Sequence, residues 1–146
     1  MGYADLRKGR YSAPGYEYLV TTVCARRRPV FANAGAAQRL VECLQSLDAE
    51  EARVTWLAWV VMPDHFHGLL ALAEGKSLGG AMQRLKGRSA HSIGGPLWQK
   101  GFHDHALRLE EDREALARYV VANPLRAGLV DRIETYPYWY CAWPVV

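Results

Sequence analysis

Long apolar stretches are missing from this sequence of 146 residues, and their absence removes the first class of function. The longest apolar run, Val54 to Met62, is interrupted by Thr55 and has less than half the length a membrane-spanning helix needs. No bilayer crossing is expected. Nor do the first residues resemble a secretion signal: Asp5, Arg7, Lys8 and Arg10 precede any apolar segment, so a cytoplasmic protein is expected. Cysteine is scarce too. Cys24, Cys43 and Cys141 are odd in number, far apart and without C-x-x-C spacing, which points away from a disulfide framework or a zinc ribbon and towards small core residues. Internal repeats and low-complexity segments are absent as well.

What is present is the balance of an ordinary globular chain, 50% hydrophobic and 23% charged. Its length suits one domain spanning 1–146, with a basic arm at 1–15 and an aromatic tail at 131–146. The net charge of +3 is unevenly spread. Arg7, Lys8, Arg10, Arg26, Arg27 and Arg28 crowd the first thirty residues, whereas acids gather at Asp48 to Glu51 and at Glu110 to Glu114. A basic surface of this kind favours a polyanion by counterion release, although a solvated surface without a partner would look the same.

Periodicity outlines the elements. Glu17 to Ala25 has the β-rich composition of a strand, ended by Pro29. Asn33 can cap a helix over about 34–50, in which Leu40, Val41, Leu44 and Leu47 share a face. Val54 to Met62 and His65 to Leu72, separated by Pro63-Asp64, read as a hairpin. Ser77 caps a second helix through Met82 and Leu85, with Arg84 and Arg88 on one side and Lys86 nearby. After Gly94-Gly95-Pro96, Leu97 to Leu109 reads as a further strand. Glu110 to Asp112 supply an acidic first turn for a last helix, which Pro124 should end at Asn123. The order β-α-β-β-α-β-α predicts an α+β, ferredoxin-like split βαβ fold: a four-stranded antiparallel sheet with helices on one face, plus a C-terminal helix.

Two places could carry chemistry. Strand alternation projects His65 and His67 to the same side and Phe66 to the other, so two imidazoles can converge on one ion; two histidines that merely hydrogen-bond are the plain alternative. By the same alternation Asp64 should point away from them and serve the turn. Tyr119 and Asn123, four apart, should share a face of the last helix, with the Asn123 amide free to reach outward. Two imidazoles and an amide oxygen, open to water and a phosphate, suit Mg²⁺ or Mn²⁺ better than a closed zinc site. A core tyrosine and a helix-ending asparagine would also explain this pair.

Beyond single residues, Val61-Met62-Pro63-Asp64-His65-Phe66-His67-Gly68-Leu69-Leu70 resembles the His-hydrophobic-His motif of the single-tyrosine transposases of the IS200 type. Trp98 to His105 with Arg108, Tyr119 to Val130, and Tyr136-Pro137-Tyr138-Trp139 resemble one branch of it, the REP-associated tyrosine transposases. Pro14-Gly15 and Arg27-Arg28-Pro29-Val30-Phe31 extend the likeness over almost the whole chain. The resemblance implies a metal-dependent endonuclease and strand transferase for single-stranded or hairpin DNA. In it Tyr119 is the nucleophile that keeps the 5′ phosphate, and His65 and His67 are metal ligands. Asn123 stands where many relatives have glutamine. A phenol, with an ordinary pKa near 10, is a poor nucleophile at neutral pH, and a metal on the phosphate offsets the charge that grows in the transition state.

The DNA-contacting set expected from charge, aromatic content and resemblance comprises Arg7, Lys8, Arg10, Tyr11, Arg26, Arg27, Arg28, Arg84, Lys86, Arg88, Lys100, His103, His105 and Arg108. Arg108 and Arg126 are each compatible either with phosphate binding or with pairing to the acidic stretch Glu110 to Glu114. A monomer and a homodimer are both compatible with the sequence. Three other functions stay open: a catalytically silent hairpin-DNA regulator of the same fold, a metal-dependent hydrolase that uses water, and a non-enzymatic ferredoxin-like protein.

Overall fold

The computed structural model describes residues 16–145, so the basic arm lies outside the described residues. The elements follow the order β1 (Glu17–Val23), α1 (Ala34–Gln45), β2 (Val54–Met62), β3 (His65–Leu72), α2 (Leu78–Ile93), β4 (His103–Ala106), α3 (Arg113–Val121), α4 (Asn123–Arg126) and β5 (Trp139–Cys141). All strand pairs are antiparallel, in the order β4-β1-β3-β2-β5. The first four strands and two helices give the split βαβ arrangement expected from the sequence. The fifth strand is a correction. The tail, read only as an aromatic segment packed on the body, adds Trp139–Cys141 to the outer edge of β2, where it covers backbone groups that would otherwise be unpaired.

The central strands of the sheet are covered on both sides. On one face α1 and α2 set Leu40, Leu44, Met82 and Leu85 against Val20, Trp56, Phe66 and Leu70. On the other, α3 presses Ala117, Val120 and Val121 onto Ala58, Val60, Met62 and Leu69. The apolar run Trp56 to Met62 within β2 has its cause here. Register shifts between Trp56 and Ala58, so Val54 and Trp56 face α1 and α2 whereas Ala58, Val60 and Met62 face α3. Gly68 is required by packing: a Cβ there would lie 2.8 Å from Phe66 Cζ and 3.0 Å from Trp56 Cζ3.

Several boundaries differ from the periodic reading for local reasons. β1 stops at Val23, because Arg26 and Arg27 turn into the left-handed region at φ 57° and 52°. The first helix changes at Ser46 into a π-helical turn that runs to Glu50. Of the strand expected over 97–109, only His103–Ala106 joins the ladder. Trp98 makes an isolated bridge to Cys24, and Gly101, at φ 76°, breaks the run. The last long helix begins at Arg113, because Asp112 caps it by accepting from the backbone N–H groups of Glu114 and Ala115. It ends at Val121. Pro124 is accommodated in the first turn of the separate helix α4, where its missing N–H costs nothing.

Candidate active site

Register determines which side chains meet. Thr21 is the cross-strand partner of both His67 and His103, and His67 is also opposite Val60. Paired residues project to one face, so this row lies on the α3 side. His65, opposite Met62, projects to the same side, and Phe66 is buried on the other, under α1 and α2.

Each imidazole is held through Nδ1. His67 Nδ1 lies 2.9 Å from the Thr21 hydroxyl and His65 Nδ1 lies 2.8 Å from Asp64 Oδ1. With a proton on each Nδ1, both Nε2 lone pairs are left for a ligand. Burial, then the neighbouring His65 and Arg126, push the His67 pKa down to about 4, so its ring is neutral at physiological pH. Asp64 is the second correction. It does not turn away from the histidines, since its carboxylate bonds His65 and also accepts from Arg27 Nη1 at 3.1 Å. Burial would raise its pKa, but the His65 and Arg27 bonds and charges outweigh burial and hold it below the usual carboxylate range.

The helix that covers this face supplies the phenol. Ala117, Val120 and Val121 form the buried stripe of α3, and Tyr119 lies outside it, 57% exposed. Above its ring stands Arg126, with the guanidinium carbon 3.7 Å from the ring centroid and Nη1 donating to the Tyr119 carbonyl at 2.8 Å. Arg126 neither pairs with the acidic stretch nor stands apart from the site, and its charge reaches His67. Asn123 does not reach outward as expected. It opens α4 half-buried, and its Nδ2 donates back to Val120 O at 3.4 Å, which leaves the amide oxygen uninvolved.

The expected DNA-contacting residues fall into distinct places. Arg7, Lys8, Arg10 and Tyr11 lie outside the described residues. Arg26, Arg27 and Arg28 form the turn beside Asp64. Arg26 is exposed, Arg27 pairs with Asp64, and Arg28 donates to Pro96 O at 2.6 Å. His103 is exposed at the end of the Thr21–His67 row, whereas His105 Nε2 is 3.0 Å from Glu111 Oε1. Lys100 and Arg108 are exposed; the backbone N–H of Arg108 donates to Glu111. Arg84, Lys86 and Arg88 belong to α2, which packs on the opposite face from the histidine pair. Arg84 and Arg88 both pair with Glu51, and Lys86 Nζ donates to Gln99 O at 2.9 Å and also to Gly101 O.

As a metal site, the donor set is open. Among the described residues, no three His, Cys, Asp or Glu side chains converge on one point. Two imidazoles, backed by a hydroxyl and a carboxylate, fit a divalent ion whose other positions are filled by oxygen from an amide, water or phosphate.

Fold and site together define an α+β protein in which paired imidazoles on a central strand lie on the same sheet face as a helix carrying an exposed tyrosine. The chain belongs to the IS200-like transposase family, whose model matches residues 12–123. It is 31% identical over 83 residues to the REP-associated tyrosine transposase of Escherichia coli (strain K12), an alignment covering 56% of this chain and 50% of that protein. The chain thus spans about half the length of this curated relative. Its structure resembles that of a REP-associated tyrosine transposase bound to a REP hairpin, with a TM-score of 0.76 and 26% identity over 89% of this chain and 79% of the other. A candidate transposase from Deinococcus radiodurans shares the fold at TM-score 0.57 and 24% identity, over 79% of this chain and 95% of its own. Among the described residues no helix is long and apolar enough to cross a membrane.

Proposed function

We propose that this protein is a single-stranded DNA endonuclease and strand transferase acting at REP-like hairpins, with Tyr119 as nucleophile. The observation that carries this reading is the placement of His65, His67 and the Tyr119 helix on one face of the sheet, with Arg126 in contact with the phenol and in electrostatic reach of His67. A hairpin-bound relative of the same fold supports the substrate class.

In the first step the Tyr119 oxygen, losing its proton, forms a bond to the scissile phosphorus. The bond from that phosphorus to the 3′ oxygen breaks, and the 3′ oxygen takes a proton to leave as a hydroxyl. The 5′ phosphate stays on the protein as a tyrosyl ester. In the second step a 3′ hydroxyl attacks this ester and the tyrosine leaves, so strands are rejoined without an added energy source. His65, His67 and the Asn123 amide oxygen would hold Mg²⁺ or Mn²⁺, which when bound draws negative charge from the phosphate oxygens. The Asp64 carboxylate, which can only accept, keeps a proton on His65 Nδ1, and the Thr21 hydroxyl holds the His67 ring in place. Tyr119 is exposed, so an incoming strand can approach its side chain.

A second reading, the catalytically silent hairpin-binding regulator, draws on the Asn123 amide turning back to its own helix. The two are separated by incubating the protein with a 3′-labelled hairpin oligonucleotide and Mn²⁺, followed by denaturing electrophoresis. Label that migrates with the wild-type protein, and not with Tyr119→Phe, is the expected result. Bound but uncut DNA in both proteins supports the regulator. Cutting by Tyr119→Phe with free 5′ phosphates means a water-using hydrolase.

A further inference from the structure

We infer that Arg126 is the ligand of the scissile phosphate, and that in the DNA-free protein the Tyr119 ring occupies the guanidinium until the phosphate displaces it. This deepens the reading of the site given above and rests on it for the identity of the DNA.

The first argument is that Arg126 lacks a counter-ion. Arg27 pairs with Asp64, Arg53, Arg84 and Arg88 with Glu51, Arg113 with Glu17, Arg118 with Glu114, and Arg132 with Glu134. Among the described residues Arg126 has no carboxylate, as is also true of Arg26, Arg28, Arg39 and Arg108, but of these five only Arg126 lies over an aromatic ring. A planar fork with five N–H donors makes one hydrogen bond, to a backbone carbonyl, and rests its face on an aromatic ring.

The second is position. The guanidinium touches the ring of the proposed nucleophile, and α4, which carries it, packs against β2, the strand next to the one that holds the histidines. A phosphate bound between an attacking phenol and an ion on the histidines therefore comes within reach of Arg126. The third is relative strength. An exposed cation–π contact is weak beside a bidentate, charge-assisted pair with a phosphodiester. The exchange runs downhill, and it frees the phenol at the moment its target arrives.

A purely structural role is the competing explanation. Arg126 is in the last turn of α4 and its bond to the Tyr119 carbonyl also staples the break at Ala122. That role predicts no response to the charge of one phosphate.

The test uses Tyr119→Phe protein, which keeps the ring and removes the nucleophile, with labelled arginine observed by NMR. The Arg126 δ protons, assigned by sequential backbone and side-chain correlation in the unsubstituted-arginine protein, should be shifted upfield by the ring current in the free protein. Saturation with a hairpin oligonucleotide carrying its single-stranded flank should return them towards the ordinary position. The same oligonucleotide with a neutral methylphosphonate at the cleavage phosphate should leave them upfield. That substitution should also weaken binding about tenfold in Tyr119→Phe and have no effect in Tyr119→Phe with Arg126→Gln, the loss expected for one hydrogen bond to a charged group. Arg126 resonances that ignore the DNA, or a methylphosphonate penalty that is the same with and without Arg126, would overturn the inference. The resonance measurement is made on the unsubstituted arginine and is unaffected if Arg126→Gln folds poorly. Should wild-type protein form no covalent adduct while Arg126 still responds to the phosphate charge, the nucleophile assignment fails and the phosphate ligand stands; an adduct with a silent Arg126 has the opposite meaning.

Discussion

The two faces of the sheet are built differently. Under α1 and α2 lies the larger cluster, with Trp56 and Phe66 ring to edge at 5.6 Å and the Trp56 indole N–H donating to Leu44 O at 2.8 Å. Three guanidinium groups on that side, those of Arg53, Arg84 and Arg88, are neutralised by Glu51. Under α3 the cluster is smaller, and the row that continues it outward holds His67, Thr21 and His103 in place of apolar side chains. Its arginine at the end of α4 has a ring for company and, among the described residues, no acid. One face carries the stability of the sheet; the other gives up apolar packing to hold polar groups in fixed positions.

The sharpest way to test this division is to strike both faces and compare. His65→Ala with His67→Ala is expected to reduce metal-dependent cleavage at least about a thousandfold, the scale of losing a charge-stabilising element, while hairpin binding and the unfolding midpoint change little. Cleavage assays and thermal unfolding on the same preparation check it. A large drop in the midpoint would mean that the histidines are structural. Phe66→Ala, the residue between them, should do the reverse. Its fully buried ring leaves a cavity costing about 3–5 kcal/mol, measured by urea denaturation. A loss under about 1 kcal/mol would deny that this face holds the sheet together.

How much of this division can be read from residues alone depends on how far regular geometry extends. Alternation assigns His65, Phe66 and His67 to their faces because β3 is regular through that stretch and its cross-strand partners enforce it. It fails one residue earlier. Asp64 belongs to the turn, where a side chain is no longer bound to the period of the strand, and it curls back to His65. Helical spacing relates Tyr119 to Asn123 only while one helix continues, and the break at Ala122 rotates Asn123 into a new turn. The same break brings Arg126 over the tyrosine ring, a contact that seven-residue spacing alone does not distinguish from pairing with a nearby acid. In β2 the register shift erases the alternating pattern, and for β5 three residues are too few to carry one. The α2 arginines show the limit of counting charge: their sign suggests a polyanion, and Glu51, distant in sequence, takes two of them.

A finer probe of the apolar face is Gly68→Ala. The added methyl would overlap Phe66 Cζ at 2.8 Å and Trp56 Cζ3 at 3.0 Å, and two interlocked rings have little room to retreat. Overpacking of about 1–3 kcal/mol is expected in urea denaturation. Shortening Phe66 to leucine removes the closer obstacle, so the cost of Gly68→Ala should shrink in that background, and a double-mutant cycle measures the coupling. Equal costs in both backgrounds would trace the penalty to backbone freedom instead.

The smallest effect is expected at Glu51. Burial acts to raise its pKa, but hydrogen bonds and charge from Arg84, Arg53 and Arg88 outweigh it and hold the carboxyl below its ordinary value. The arginines are partly solvated, so the pairs are worth about 0–1 kcal/mol each and weaken with salt. Because the folded-state pKa is depressed, the stabilisation is present above the ordinary value near 4.5 and is lost as pH falls through the depressed one. Glu51→Gln should therefore cost about 1 kcal/mol at pH 7 and low salt, and the gap from wild type should close on acidification. Hairpin affinity should stay within about twofold, since the freed Arg84 and Arg88 face away from the histidines. A clear rise in affinity would instead put the α2 face on DNA and end the separation of the two sides.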